Sequence, residues 1–211
     1  MTTTEIDEAT RERLRAALMS PGLHIGSGLG SERGGVDSGE RCTIAEINMV
    51  LTGGLTDDAH PCMSEVIYRW VIRIQDAMPD DVRNSAAWRE AAVGIAGSAA
   101  GPEVEKARLA SLLDWMRDLS SAPTAWRSQR VPPSVDPIRW TVVTDRFEAR
   151  SRAAVVAYTS GDYAYAAHAV AVAATYGGMC VGAYAAAFGG VYPTAVSAYW
   201  ERADVPGMLA R

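Results

Sequence analysis

Lysine, cysteine and histidine are scarce in this sequence. Lys106 is the single lysine and the other basic residues are arginines, which is typical of coding bias in a GC-rich genome. The net charge of −5 and the pI near 5.2 argue against a nucleic-acid binder that depends on phosphate contacts. Three cysteines form an odd number and no hydrophobic leader follows Met1. Both features predict a protein of the reducing cytoplasm.

Charged residues are missing altogether from Tyr163 to Trp200. A membrane span needs about 20 apolar residues, and this segment is long enough. However, alanine and glycine supply little transfer free energy, and His168 and several tyrosines interrupt the run. The segment therefore predicts a buried, closely packed helix or a self-association surface rather than a membrane span.

Large side chains recur within this segment every four residues, which places them on one ridge of a helix. Small residues such as Gly178-x-x-x-Gly182 allow neighbouring helices to approach closely. We predict a subunit interface that includes Gly178, Gly182, Tyr176 and Tyr184. The full ridge comprises His168, Val172, Tyr176, Cys180, Tyr184 and Phe188.

The composition, 48% hydrophobic and 21% charged over 211 residues, is that of a globular protein with a sizeable core. Helical periodicity predicts an all-α, mostly antiparallel bundle with a long Gly/Ser-rich loop and an Ala-rich C-terminal helix. We predict an N-terminal helical domain over 1–122 and an Ala-rich helical segment over 137–211. A connector over 123–136, which contains three prolines, separates them.

The first 41 residues predict a helix followed by a glycine-rich loop. The helix covers 1–20, with Thr3 or Thr4 as its cap. The loop over 21–41 contains Gly26-Ser27-Gly28-Leu29-Gly30, but a phosphate-binding loop needs a preceding buried strand and a terminal Lys-Ser or Lys-Thr. Neither is present, so no nucleotide cofactor is indicated.

The stretch from Cys42 to Arg83 has the clearest pattern in the first half. An apolar helix begins at Cys42 and ends at Gly53-Gly54, and a polar connector leads to Cys62. A second helix follows from Met63, with its apolar face at three- and four-residue spacing: Val66, Ile67, Trp70, Ile74 and Met78. Further helices are predicted over Asp80–Ala96, over Glu103–Leu119 and from Pro137, and Ser160-Gly161-Asp162 predicts a turn and cap.

Two kinds of chemistry are open to the cysteines of this stretch. Two thiolates and two imidazoles form a tetrahedral zinc site, for which the candidate ligands are His24, Cys42, His60 and Cys62, with Glu40 and Glu46 nearby in sequence. Only His60 and Cys62 form the close pair that zinc motifs use. Alternatively, Cys42 or Cys62 at a helix N-terminus is a nucleophile, because the helix dipole lowers a thiol pKa, and His60 is its base. Both cysteines also suit simple core packing.

The central stretch resembles an uncharacterised family of GC-rich bacteria, mainly actinobacteria. The resemblance rests on Cys42, on Thr56-Asp57 with His60-Pro61-Cys62-Met63-Ser64, and on Gln75-Asp76-Ala77-Met78-Pro79-Asp80-Asp81-Val82-Arg83. Gln75 replaces the usual Asn, and Glu65 the usual Pro. The resemblance implies an all-helical fold with an alanine-rich C-terminal part, and it implies no activity.

These observations predict a non-enzymatic interaction protein that self-associates through its Ala/Gly-rich helix. No complete catalytic constellation is visible in the sequence, whereas a long uncharged helix suits close packing. The alternative is a small cysteine- or zinc-dependent enzyme or switch centred on Cys42, His60 and Cys62.

Overall fold

Helices dominate the computed structural model, which describes residues 5–26, 40–127, 137–187 and 192–209 but not the side chains of residues 40, 120–127, 137–143, 180–187, 192–195, 197 and 198. The predicted all-α class is confirmed. The elements are α1 (Glu8–Leu18), β1 (His24–Ile25), β2 (Glu40–Arg41), α2 (Thr43–Thr52), α3 (Glu65–Ala77), α4 (Asp80–Arg83), α5 (Ala86–Val93), α6 (Pro102–Arg127), α7 (Pro137–Ser160), α8 (Tyr163–Ala187), α9 (Tyr192–Ala203) and α10 (Val205–Leu209).

Local capping decides where several helices begin and end. Helix α2 starts after Cys42 and stops at Gly53, whose φ of 74° favours a residue without a Cβ. Helix α1 begins at Glu8 because the Asp7 carboxylate accepts a hydrogen bond from Thr10 N. The predicted start at Thr3 or Thr4 is therefore wrong.

Two helix boundaries differ from the periodicity. The helix predicted over Asp80–Ala96 is divided into α4 and α5, because Ser85 caps α5 by accepting from Trp88 N at 3.1 Å. Helix α6 continues past the predicted end at Leu119 to Arg127. Residues 123–127 are thus helical rather than connector. Pro123 removes one helical hydrogen bond, and the nearby Ala122 and Ala125 favour the helix.

The predicted loop over 21–41 is bounded by a short parallel strand pair. His24 lies opposite Glu40 and Ile25 opposite Arg41, and Gly26 N donates to Arg41 O at 3.0 Å. The glycines at 28, 30, 34, 35 and 39 lie outside the described residues. Two-residue strands carry too little pattern to be predicted from sequence.

The chain divides into two units, 1–105 with 205–211, and 106–204. This boundary lies within α6 rather than in the predicted connector, most of which is outside the described residues. In the first unit, α1, α2, α3, α5 and α10 enclose a core of large apolar side chains: Leu14, Leu18, Ile25, Ile44, Ile47, Trp70, Ile74, Trp88 and Val205.

Two arginines join the loops of the first unit to its helices. The buried Arg83 donates to Ile25 O at 3.0 Å, to Gln75 O at 2.8 Å and to the Asp80 carboxylate. Arg89 donates to the carbonyls of Leu18 and Leu23, both at 2.7 Å. A planar guanidinium suits this role because it presents five fixed donors.

The second unit is built on a helical hairpin, in which Gly161 (φ 83°) turns α7 into α8 and Asp162 caps α8. The predicted turn at Ser160-Gly161-Asp162 is confirmed. Helix α8 packs on α7 and α9, and Trp115 of α6 donates to Ala203 O of α9 at 2.6 Å. Within the described ranges, no helix has both the length and the apolar character that crossing a membrane requires.

Candidate functional site

Cys42 is the N-cap of α2, as the sequence predicts. Its sulfur accepts a hydrogen bond from Ala45 N at 3.3 Å, and the residue is 1% exposed. Burial raises the pKa of the Cys42 thiol and outweighs the hydrogen bonds from Ala45 and Gln75, while the nearby Asp57 raises it further. The expectation of a lowered thiol pKa at this helix terminus is therefore wrong for Cys42, which is a protonated core thiol at neutral pH.

A chain of buried polar groups holds the start of α2 in place. The Gln75 side-chain oxygen accepts from Thr43 N at 3.1 Å, and the Thr43 hydroxyl accepts from Trp88 Nε1 at the same distance. Thr43, Gln75 and Trp88 are each fully buried. These bonds tie α2, α3 and α5 together, so Gln75 has a structural role in the core.

His60 and Cys62 form the closest pair among the predicted chemical residues. His60 Nδ1 lies 3.0 Å from Cys62 Sγ and accepts from Cys62 N at 3.2 Å. Cys62 has no exposed surface, whereas His60 is half-buried. The sequence predicted this pairing from spacing alone. It also placed Cys62 at a helix N-terminus, but Cys62 precedes the N-cap of α3, Ser64, by two residues.

The carboxylate of Glu105, from the first turn of α6, lies at the N-terminus of α3. The sequence analysis missed this contact. One of the Glu105 carboxylate oxygens accepts from the Ser64 hydroxyl at 2.6 Å and from Val66 N at 3.2 Å. Ser98 accepts from Ser64 N at 2.9 Å. An anion at a helix N-terminus is electrostatically favourable. The capping contact spans 41 residues, and the sequence analysis, which began this helix at Met63, did not identify Ser64 as its N-cap.

The four candidate zinc ligands occupy several parts of the first unit. His24 is exposed on β1, Cys42 caps α2, and His60 and Cys62 share the connector before α3. Of the two nearby acids, Glu46 pairs with Arg41 at 2.7 Å, and the Glu40 side chain is outside the described residues. Among described residues, no group of three or more His, Cys, Asp or Glu side chains could hold a metal ion. The zinc site stays a prediction.

The glycines of α8 are used for packing within the chain. A Cβ on Gly178 would lie 3.2 Å from Tyr199 Cδ1 and 3.4 Å from Trp200 Nε1, and one on Gly177 would lie 2.5 Å from the Tyr199 hydroxyl. Gly178 therefore accommodates α9 of its own chain, a role that the interface prediction did not foresee. Gly182 and Tyr184 lie in α8, but their side chains are outside the described residues.

Several large side chains lie on the opposite side of α8, which we call the outward face. It consists of Tyr165, His168, Val172, Thr175 and Met179, none of which is buried. Their spacing of three and four residues is the heptad pattern of a coiled-coil seam. Tyr165 is 44% exposed and Met179 is 43% exposed, so this uncharged seam lies on the surface.

Arginines of α7 border the outward face. Arg146 donates to the Tyr176 hydroxyl at 3.2 Å and its guanidinium lies 5.8 Å from the centre of the Tyr176 ring. Arg150 donates to the Tyr165 hydroxyl at 3.5 Å, and the Tyr165 ring stacks on His168. Tyrosine, arginine and methionine are enriched in protein interfaces. Of the predicted interface residues whose side chains are described, Tyr176 therefore lies beside this surface.

Comparisons with protein-family models, curated proteins and solved structures found no match. The resemblance to an actinobacterial family accordingly stays a prediction.

Proposed function

We propose that the protein is a non-enzymatic interaction protein that self-associates through the outward face of α8. The observation that carries the proposal is a seam with heptad spacing that is exposed at Tyr165 and Met179, half-buried between them, and free of charged residues. A second copy is the fitting occupant because the α8 seam residues carry no charge that would repel their own copy, and the arginines of α7 lie at the border of the face. Burying its aromatic and thioether groups is favourable.

An antiparallel pairing of two α8 helices suits this surface. A two-fold axis brings the same patch of both copies together, which gives a closed dimer. Opposed helix dipoles attract, and the exposed Asp162 carboxylates at the two N-termini then lie at opposite ends. A parallel pairing would place these carboxylates side by side.

Light-scattering mass of purified variants tests the surface. Val172→Glu and Met179→Glu each place a charge in the seam, so both are expected to give monomers at concentrations where the wild-type protein is dimeric. Val156→Glu is the matched control, because Val156 is 65% exposed on α7 and lies off the seam. Dimers that survive both seam substitutions would reject the proposed surface.

Charge pairing tests the orientation. Residues 165 and 179 are about 21 Å apart along one helix, too far for a contact within a chain. In an antiparallel pair, residue 165 of one copy lies near residue 179 of the second copy, and residue 179 lies near residue 165. Tyr165→Lys and Met179→Glu are each expected to weaken the dimer, and combining both in one chain is expected to restore it. Further weakening in the combined variant would indicate a parallel pair instead.

We also place the protein in the cytoplasm. The free thiols of Cys42 and Cys62 support a reducing compartment. Formation of a disulfide between them in protein isolated without reductant would count against this location.

A further inference from the structure

His60 and Cys62 belong to the first unit, whereas the proposed self-association surface on α8 belongs to the second. Their pair is the place in the described structure where a base lies in hydrogen-bonding contact with a thiol, with 3.0 Å between Nδ1 and Sγ. We propose that Cys62 is an oxidation site for small hydroperoxides, with His60 as its general base. This reaction goes beyond the interaction function and does not depend on it.

Local hydrogen bonding fixes which nitrogen of His60 carries the proton. The backbone N–H of Cys62 points at Nδ1, 3.2 Å away. An N–H group is accepted only by an unprotonated ring nitrogen, so Nδ1 presents its lone pair and Nε2 carries the hydrogen. In this tautomer Nδ1 also lies 3.0 Å from Sγ, within reach of the thiol proton, which is the contact that general-base catalysis requires.

The reaction is a two-electron transfer from sulfur to peroxide. His60 Nδ1 takes the thiol proton as sulfur attacks one peroxide oxygen. The S–O bond forms, the O–O bond breaks, and the leaving oxygen takes the proton from His60. Cysteine and hydroperoxide thus become cysteine sulfenic acid and water or an alcohol. The thiolate, which the base generates, is the reactive form of cysteine.

Access to Cys62 favours a small reagent. The thiol has no exposed surface, so a bulky substrate cannot reach it without unfolding of the surrounding core. Residues 53–62 have no helix or strand, and Asn48 holds this connector by donating to Thr56 O and Asp58 O. Irregular segments of this kind open at lower free energy than the helices they join. Brief opening admits a molecule of the size of hydrogen peroxide.

The test uses hydrogen peroxide on the full chain, with dimedone to trap sulfenic acid and peptide mass spectrometry to assign it. His60→Asn is the decisive variant. The Asn side chain can still accept from Cys62 N in an Asx-turn, but it is not a base. His60→Gln is a second variant, and thermal unfolding checks that each is folded. Cys42 in the same sample is the reference thiol.

We expect trapped sulfenic acid at Cys62 in the wild-type protein. In His60→Asn its formation should slow about 100-fold, the lower range for general-base catalysis, while the Cys42 rate is unchanged. Equal Cys62 rates in the wild-type protein and in folded His60→Asn would overturn the proposal. So would a Cys62 that stays reduced after Cys42 has been oxidised.

Discussion

Substituting Gly177 by alanine tests the packing of α8 on α9 that the glycines allow. The added Cβ would lie 2.5 Å from the Tyr199 hydroxyl oxygen and 3.2 Å from Tyr199 Cζ. The hydroxyl cannot move without consequence, because it donates to Ala174 O at 2.9 Å in a buried position. The ring must therefore shift, and this hydrogen bond is strained or lost.

The expected loss of stability combines three effects. Forcing a methyl group into a packed site costs about 1–3 kcal/mol. Loss of the hydrogen bond costs about 1 kcal/mol. Replacing a helical glycine by alanine stabilises the helix by about 1 kcal/mol, because alanine has the higher helix propensity. Gly177→Ala should therefore lower the free energy of unfolding by about 1–3 kcal/mol, measured by urea denaturation with circular dichroism.

A double-mutant cycle identifies the cause. Tyr199→Phe removes the oxygen that the new Cβ would meet, at a cost of about 1 kcal/mol for the hydrogen bond. The combined variant should be less destabilised than the sum of the two single variants, by about 1–2 kcal/mol. Strictly additive effects would refute the proposed contact. Gly22→Ala is the control, since its Cβ would meet nothing within 4 Å.

Three further predictions concern the first unit. Arg83→Met should lower the free energy of unfolding by about 2–4 kcal/mol, because buried carbonyls lose their donor; chemical denaturation measures this, and an unchanged midpoint would contradict it. Glu105→Gln should lower the free energy of unfolding by about 1–2 kcal/mol, because it weakens the cap at the N-terminus of α3. Glu103 is exposed in the same turn, so Glu103→Gln should leave the free energy of unfolding unchanged. Equal effects of the two substitutions would argue against the cap. Because the pKa of Cys42 is raised on folding, its protonated thiol contributes to the free energy of unfolding. This contribution is fully present below the unfolded thiol pKa, near 9.0, and is lost as pH rises through the folded pKa. Stability should thus fall with pH above 9 more steeply in the wild-type protein than in Cys42→Ala, and parallel profiles would exclude this linkage.

Helix positions were predictable where caps and periodicity agreed. Gly53 ended α2, and Gly161 with Asp162 separated α7 from α8, because each residue type has a specific backbone or capping preference. The break at Ser85 was missed because the apolar spacing continues across it. The contact of Glu105 with Ser64 depends on residues 41 positions apart, so no local pattern reveals it.

The candidate sites were predictable in part. The closeness of His60 and Cys62 followed from their spacing, but burial of Cys42, which reverses its expected pKa shift, depends on the whole core. The sequence predicted helix α8 correctly, but it did not predict which residues of α8 face inward. The lack of charge in α8 leaves no polar face to mark the surface. Only packing on Tyr199 and Trp200 shows that Gly178 faces inward.

Sedimentation equilibrium of the wild-type protein over a range of concentrations tests self-association most directly. The account predicts a mass that rises from the chain mass of 22.5 kDa towards twice that value as concentration increases, and that stays at the chain mass in Val172→Glu. A wild-type mass of 22.5 kDa at every concentration would contradict it.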